Sequence, residues 1–300
     1  MRRTYWTAIG LLIGLIAVQC QPPNGDDLRR HQKFIHFCHV VPELPSPKHR
    51  TDSSDSHAGQ CTSIFHRRTL LSLRIDFLSF EPLIALYHNF SSTAEINAVN
   101  DIIDKLNLKA SSVQHPDGVD RLLTERRRAR GGWLHRFKHS PLVTGLTNRV
   151  AQATGMNTEY AENWNVLSYG VGDFYVPHLD YTDDKDRLTR RNGNRFATFM
   201  LFLREPTQGG RTAFVRRAFA VRPTAGAALL WLNEHPNGTA DTRTLHAGCP
   251  VEHGEKRVAT LWLRERGQMQ RWPCPLAQQR TTFLTSTDEF CAILDARNNS

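Results

Sequence analysis

Beyond its first 18 residues the sequence has no run approaching 18 apolar residues, so a membrane-spanning helix is not expected in the mature chain. The last four residues, Arg-Asn-Asn-Ser, are not an endoplasmic-reticulum retention signal. Acid is in short supply: 29 Asp and Glu face 38 Lys and Arg, for a net charge of +9 and a pI near 9.5. Much of the excess lies in two runs, Arg126-Arg127-Arg128-Ala129-Arg130 and Arg187 to Arg195. Such runs are usually solvated faces. Nucleic acid is not an expected partner, because it would need a compartment that a secreted chain should not reach. What is plentiful is apolar residues, 40% of 300. That suffices for one large domain with appendages, or for two small domains.

Residues 1–20 read as a secretory signal peptide. Arg2 and Arg3 form the positive end, Trp6 to Val18 the apolar stretch, and cleavage falls near Cys20. The endoplasmic-reticulum lumen or the exterior is the expected location. Five cysteines then remain: Cys38, Cys61, Cys249, Cys274 and Cys291. An oxidising lumen favours disulfides among them. Asn89, Asn237 and Asn298 open glycosylation sequons. Residues 21–70 read as a cysteine-bounded loop and linker, with an exposed Pro, Ser, Asp and His stretch over 45–60.

Residues 72–88 have strand character. Ser92 and Glu95 make a capping box that opens a helix with Ile96, Val99, Ile102, Ile103 and Leu106 on one face. Ser140-Pro141 starts a second helix, burying Leu142, Val143, Leu146 and Val150 and stopping at Gly155. The two helices are expected to brace one face of a sheet. After Gly155 come short strands: Trp164 to Tyr169, Phe196 to Leu203, Phe219 to Arg222, Ala228 to Trp231 and Arg257 to Leu263. Gly209-Gly210 and Gly226 mark turns. The class is mainly β with flanking helices, a sandwich or barrel.

Three groups are candidate metal ligands: His178, Asp180 and, 66 residues later, His246. Residues two apart on a strand project to one face. Two imidazoles and a carboxylate suit ferrous iron and leave a face of the octahedron open; zinc in a hydrolytic site is the alternative. Lys256, ten residues after His246, is a cation able to hold the far carboxylate of a dicarboxylic acid. A His-x-Asp alone means little, since 14 His in 300 residues yield about one such tripeptide by chance. His115-Pro116-Asp117-Gly118 is such a decoy, a turn by composition.

The second tripeptide is distinguished by its company. Ser168-Tyr169-Gly170-Val171-Gly172-Asp173-Phe174-Tyr175-Val176-Pro177-His178-Leu179-Asp180-Tyr181, Gly193 to Leu203, Gly209 to Phe214, Trp231-Leu232-Asn233, Asp241 to Val251 and Leu261 to Gln268 occur in one order. Together they resemble the catalytic domain of the collagen prolyl 4-hydroxylase α-subunit family. The resemblance covers roughly residues 65–275, and the dioxygenase domain is expected over 71–275, with a tail over 276–300.

The resemblance implies a double-stranded β-helix, or jelly roll. It implies Fe(II), 2-oxoglutarate as co-substrate and ascorbate as reductant, with 4-hydroxylation of peptidyl proline. His178, Asp180 and His246 would bind the metal. Lys256, Tyr169 and Thr212 would hold the co-substrate. Trp262 matches an aromatic near the pocket but reads equally well as core. Tyr181 follows the ligand Asp and is expected on the other face. The resemblance also implies disulfides Cys38–Cys61 and Cys249–Cys274, a procollagen-like substrate and protein disulfide isomerase as a partner. The family's helical peptide-binding domain has no counterpart expected here. Alternatives are a dioxygenase acting on lysine or a small molecule, and a catalytically silent binding protein of the same fold.

Overall fold

The structure is a computed structural model. It describes residues 25–44, 61–66, 71–110, 113–114, 120–121, 125–136, 138, 140–182, 187–268 and 272. The expected signal peptide, the 45–60 loop, His115, Cys274, Cys291, Asn298 and the 276–300 tail lie outside the described residues.

Along the chain the first elements are α1 (Gly25–Val40), β1 (Glu43–Leu44), β2 (Cys61–His66), β3 (Leu71–Phe80), β4 (Leu83–His88) and α2 (Thr93–Asp104). Next come β5 (Lys109–Ala110), β6 (Val113–Gln114), β7 (Asp120–Arg121), β8 (Arg127–Arg128), β9 (Arg130–Leu134) and α3 (Pro141–Thr154). Then follow β10 (Trp164–Tyr169), β11 (Phe174–His178), α4 (Arg187–Asn192), β12 (Arg195–Arg204), β13 (Gln208–Gly209), β14 (Thr212–Phe214) and β15 (Phe219–Val221). The last are β16 (Ala228–Leu232), β17 (His246–Gly248), β18 (Val251–His253) and β19 (Lys256–Arg264).

Two sheets dominate. The larger has the order β2-β3-β4-β16-β12-β19-β10-β9-β5 and the smaller β1-β15-β14-β17-β11-β8. Strand alternation sorts the side chains into three layers. Met200, Phe202, Leu229, Trp231 and Val258 face inward, where they meet Phe214, Phe219 and Val221 of the smaller sheet. Their neighbours Phe199, Leu201, Leu230, Ala259 and Leu261 face outward onto α2 and α3 through Ile96, Val99, Ile103, Leu146 and Val150. A jelly-roll core braced on one face by two helices results.

The two bracing helices form where the local chemistry directs. Ser92 caps α2 and Glu95 returns the bond to the Ser92 backbone at 2.9 Å. Arg149 of α3 pairs with Glu95 at 2.6 Å, and its hydrogen bonds hold the Glu95 carboxyl down at about 2. Ser140 caps α3, Pro141 opens it, and Gly155 ends it at φ 74, a left-handed geometry that glycine adopts without strain.

The segment expected to be linker is in part a helix. In α1 and just beyond it, Phe34, Phe37, Cys38 and Val41 fall at helical spacing and pack on Phe174, Ala213, Ala220, Ala247 and Cys249, the outer face of the smaller sheet. This placement overturns both expected disulfides. Cys38 is bonded to Cys249, with Cα atoms 5.7 Å apart. A cysteine makes one such bond, so neither Cys38–Cys61 nor Cys249–Cys274 forms here. The physical reason is that α1 lies across the sheet rather than looping back toward β2. Arg211 fastens the same junction by donating to the Cys38 and Val41 carbonyls.

Candidate active site

β11 and β17 are antiparallel neighbours in the smaller sheet, and their pairing sets His178 opposite His246. The register shifts between Tyr175, opposite Gly248, and His178: three residues on β11 span two on β17. This bulge falls at Val176-Pro177, where proline has no N–H for the ladder. It turns both Tyr175 and His178 toward the other sheet, against simple alternation. Asp180 is not on the strand. β11 ends at His178 and Asp180 sits in the bend beyond it. Its common face with His178 therefore comes from the turn, not from the pleat.

The three groups converge. One ligand atom from each of His178, Asp180 and His246 lies within 4.8 Å of the others. The Nε2 atoms of His178 and His246 stand 3.6 and 3.8 Å from the two Asp180 oxygens. The Nδ1 atoms lie 2.9 Å from the Val176 carbonyl and 3.0 Å from the Thr244 carbonyl. A carbonyl only accepts, so each Nδ1 carries a proton and each Nε2 is the ring nitrogen turned to the cluster. Burial, helped by the neighbouring His246, pushes His178 down to about 3, so its imidazole is neutral. Burial would push the Asp180 carboxyl up, but His246, His178 and Arg195 outweigh it and hold it below the usual range. Two imidazoles beside a carboxylate form a donor set that fits a divalent metal.

The cluster is held from behind. Thr198 of β12 donates to Asp180 at 2.8 Å, and Asn233 donates to Thr198 at 2.9 Å. Trp231 meets His246 edge-on at 4.7 Å between ring centroids, and Tyr175 stacks on His178 at 3.5 Å.

Lys256 opens β19 opposite Tyr169 of β10, and its side chain runs between the sheets. Its Nζ donates to the Thr212 hydroxyl at 3.2 Å and stands 5.6 Å over the Tyr169 ring. Lys256, Tyr169 and Thr212 are thus brought together. Gly210 leaves room for them; a Cβ there would meet Pro206 at 2.8 Å and the Lys256 stem at 3.5 Å. Lys256 is 3% exposed. Among the described residues no carboxylate pairs with it, and burial pushes it down to about 7. On β14, Phe214 lies opposite His246 and Thr212 opposite Gly248. The cation therefore sits one alternate-residue step, roughly 7 Å, along the strand from the histidines. Arg257 points the other way, onto Asn100 and Asp104 of α2.

The 2OG-Fe(II) oxygenase superfamily matches residues 164–264, the segment that carries every one of these groups. The human prolyl 4-hydroxylase subunit alpha-3 is 40% identical over 258 residues, 85% of this chain and 46% of that one. The human prolyl 4-hydroxylase subunit alpha-1 is 35% identical over 201 residues, 66% of this chain and 37% of that one. The chain belongs to the prolyl 4-hydroxylase α-subunit family. It spans less than half the length of these two relatives. The viral collagen prolyl hydroxylase of Paramecium bursaria Chlorella virus-1, solved as a 2OG complex, overlaps with a TM-score of 0.48 at 23% identity. It covers 60% of this chain and 95% of the viral one.

This α-subunit relative has site groups that sequence reasoning passed over. Tyr175, Thr198 and Asn233 lie inside stretches that carry the resemblance, but no role was expected of them. Strand parity would have found Thr198, two residues before the inward Met200. Trp262 lies opposite Thr198, half-buried on the site face, with the Arg195 guanidinium 3.6 Å over its ring. Two arginines assigned to solvated runs are site residues. Arg195 is chelated by Glu162 at 2.7 and 3.1 Å, and Arg127 stands 4.9 Å over the Tyr175 ring. Tyr181, expected away from the ligand face, donates to the Gly238 carbonyl at 3.0 Å.

Proposed function

We propose that the chain is a 2-oxoglutarate- and iron(II)-dependent dioxygenase that 4-hydroxylates peptidyl proline in collagen-like or other secreted proteins. One observation carries the reading: a two-imidazole, one-carboxylate donor set lies one alternate-residue step along the smaller sheet from a buried ammonium that lacks a carboxylate partner among the described residues. The donor set suits iron(II) with an open face, and the ammonium suits the C5 carboxylate of 2-oxoglutarate. A zinc hydrolase would use the same three ligands but would have no role for Lys256.

When bound, iron would couple oxidation of 2-oxoglutarate by dioxygen to hydroxylation of a C–H bond. The balance is substrate C–H, 2-oxoglutarate and dioxygen giving substrate C–OH, succinate and carbon dioxide. His178, Asp180 and His246 would hold the metal, with Thr198 fixing the carboxylate orientation. Lys256 and Thr212 would orient the co-substrate, and Tyr169 closes that end of the cavity. The Tyr175 and Trp262 rings line the approach to the cluster and would displace water from around a bound proline ring. A proline-rich peptide can approach without losing internal hydrogen bonds, because polyproline II has none. The same reading includes ascorbate as reductant, an endoplasmic-reticulum or secreted location, and protein disulfide isomerase as partner.

The test is incubation with iron, 2-oxoglutarate, ascorbate and a panel of proline- and lysine-containing peptides. Mass spectrometry then seeks a gain of one oxygen and locates it. Oxygen at proline C4 is the expected result. Modification of lysine alone, or succinate release with no modified peptide, defeats the proline assignment.

A further inference from the structure

The smaller sheet ends at β8, and this edge is made of arginine. Arg126, Arg128 and Arg130 are exposed, while Arg127 is half-buried. β8 pairs with the strand that carries His178, with Arg127 opposite Tyr175. The Val176 N–H donates to the Arg126 carbonyl at 2.9 Å, so the edge is fixed to the bulge that orients His178. Arg127 lies over the Tyr175 ring, and that ring stacks on His178. Arg128 stands 5.6 Å over the Phe174 ring on the other face.

None of Arg126, Arg127 and Arg128 has a carboxylate partner among the described residues. The Arg127 Nε is moreover buried without a hydrogen-bond partner. The same cavity shows what a neutralised arginine looks like. Arg195 has Glu162 in a two-point pair, and Glu162 also takes Arg264 at 2.7 Å. A half-buried guanidinium with no carboxylate partner among the described residues, beside the candidate metal ligands, is a costly arrangement unless a ligand completes it. A guanidinium presents a planar fork that matches a carboxylate in two-point fashion.

We infer that the substrate peptide carries an acidic side chain close to the residue to be modified, and that Arg127 reads it, with Arg126 and Arg128 supplying a positive field around it. The inference rests on the peptide reading above and adds a sequence preference to it. The net charge of +9 points the same way.

The experiment uses the full chain and two fluorescently labelled proline peptides that differ only in Glu or Gln two residues from the proline. Fluorescence anisotropy reads binding at low and high salt. The Glu peptide should bind about tenfold more tightly, as expected for a charge-assisted pair, with the advantage shrinking in high salt. Arg127→Gln should bring the Glu-over-Gln ratio below about twofold. Arg127→Lys, which keeps the charge without the fork, should give an intermediate ratio. If Arg127 variants do not fold, the Arg126→Gln/Arg128→Gln double variant should still lower the ratio about threefold. Equal binding of the two peptides by the unaltered chain overturns the inference. So does a ratio that Arg127→Gln leaves unchanged, which would mean that Arg127 only supports Tyr175. Tighter binding of a single-stranded oligonucleotide of equal charge would also overturn it. If the Glu preference holds but no proline is hydroxylated, the proline reading fails and this inference stands.

Discussion

Replacing Lys256 by Met separates the cost of a buried charge from its use. Met keeps most of the stem and removes the ammonium. In the free chain Lys256 is 3% exposed, its ammonium has one hydroxyl partner among the described residues, and burial pushes it down from 10.5 to about 7. Between pH 7 and 10.5 the folded lysine is largely neutral while the unfolded one still holds its proton. The unfolded state then binds more protons, so stability rises with pH across that window. Lys256→Met removes this dependence and should raise the melting temperature of the free chain most at pH 7 and below. Toward 2-oxoglutarate the effect is opposite. Truncating one partner of a buried charge pair costs about 2–5 kcal/mol, so affinity should fall roughly 30-fold or more. Calorimetric titration of 2-oxoglutarate and thermal melts from pH 6 to 10.5 read the two effects on the same samples. A stabler variant with unchanged 2-oxoglutarate affinity would refute the anchoring role. A wild-type melting curve with the same pH slope as the variant would refute the buried, unpaired ammonium.

Other perturbations have equally definite outcomes. His178→Ala, Asp180→Ala and His246→Ala should each abolish Fe(II) binding, read by metal content after dialysis, with circular dichroism unchanged. Thr198→Val should weaken metal binding about 10–100-fold, because the hydroxyl that orients Asp180 is lost. Glu234 is buried beside Glu265, and burial pushes its carboxyl up to about 9. The folded carboxyl keeps a proton that the unfolded one loses above pH 4.5, so this group lowers stability as pH rises toward 9. Glu234→Gln should therefore stabilise, by about 1–3 kcal/mol near neutrality, with no gain at pH 4 in a thermal melt. Non-reducing peptide mapping should recover Cys38 linked to Cys249, and Cys38→Ser should cost about 2–5 kcal/mol in a denaturant melt.

Elements with strong local signals were legible in the sequence. The capping box at Ser92, the Ser140-Pro141 start and the Gly155 stop each act within a few residues, and they mark α2 and α3 closely. The alternation in Trp164 to Tyr169 marks β10 by the same logic. α1 was not read: Phe34, Phe37, Cys38 and Val41 recur at helical spacing, but a polar, cysteine-bounded context obscured them. The basic runs misled because charge density does not say which way a side chain points. In β8 and β12 strand parity turned Arg127 and Arg195 toward the cavity, where an aromatic ring and Glu162 receive them.

By itself the sequence determined the class of chemistry. A His-x-Asp with a distant His and Lys, in the company of the family's pieces, names candidate metal donors and a candidate cation for a dicarboxylic acid, and these are properties of residue types. Tertiary structure decided what depends on distance. A bulge at Val176-Pro177 turns Tyr175 and His178 to one side, and a bend carries Asp180 to them. β14 sets Thr212 beside a lysine 44 residues away. The packing of α1 chose Cys249 for Cys38 across 211 residues of sequence. Such choices follow from register and from which faces meet in the core, and neither is written in any local stretch of the chain.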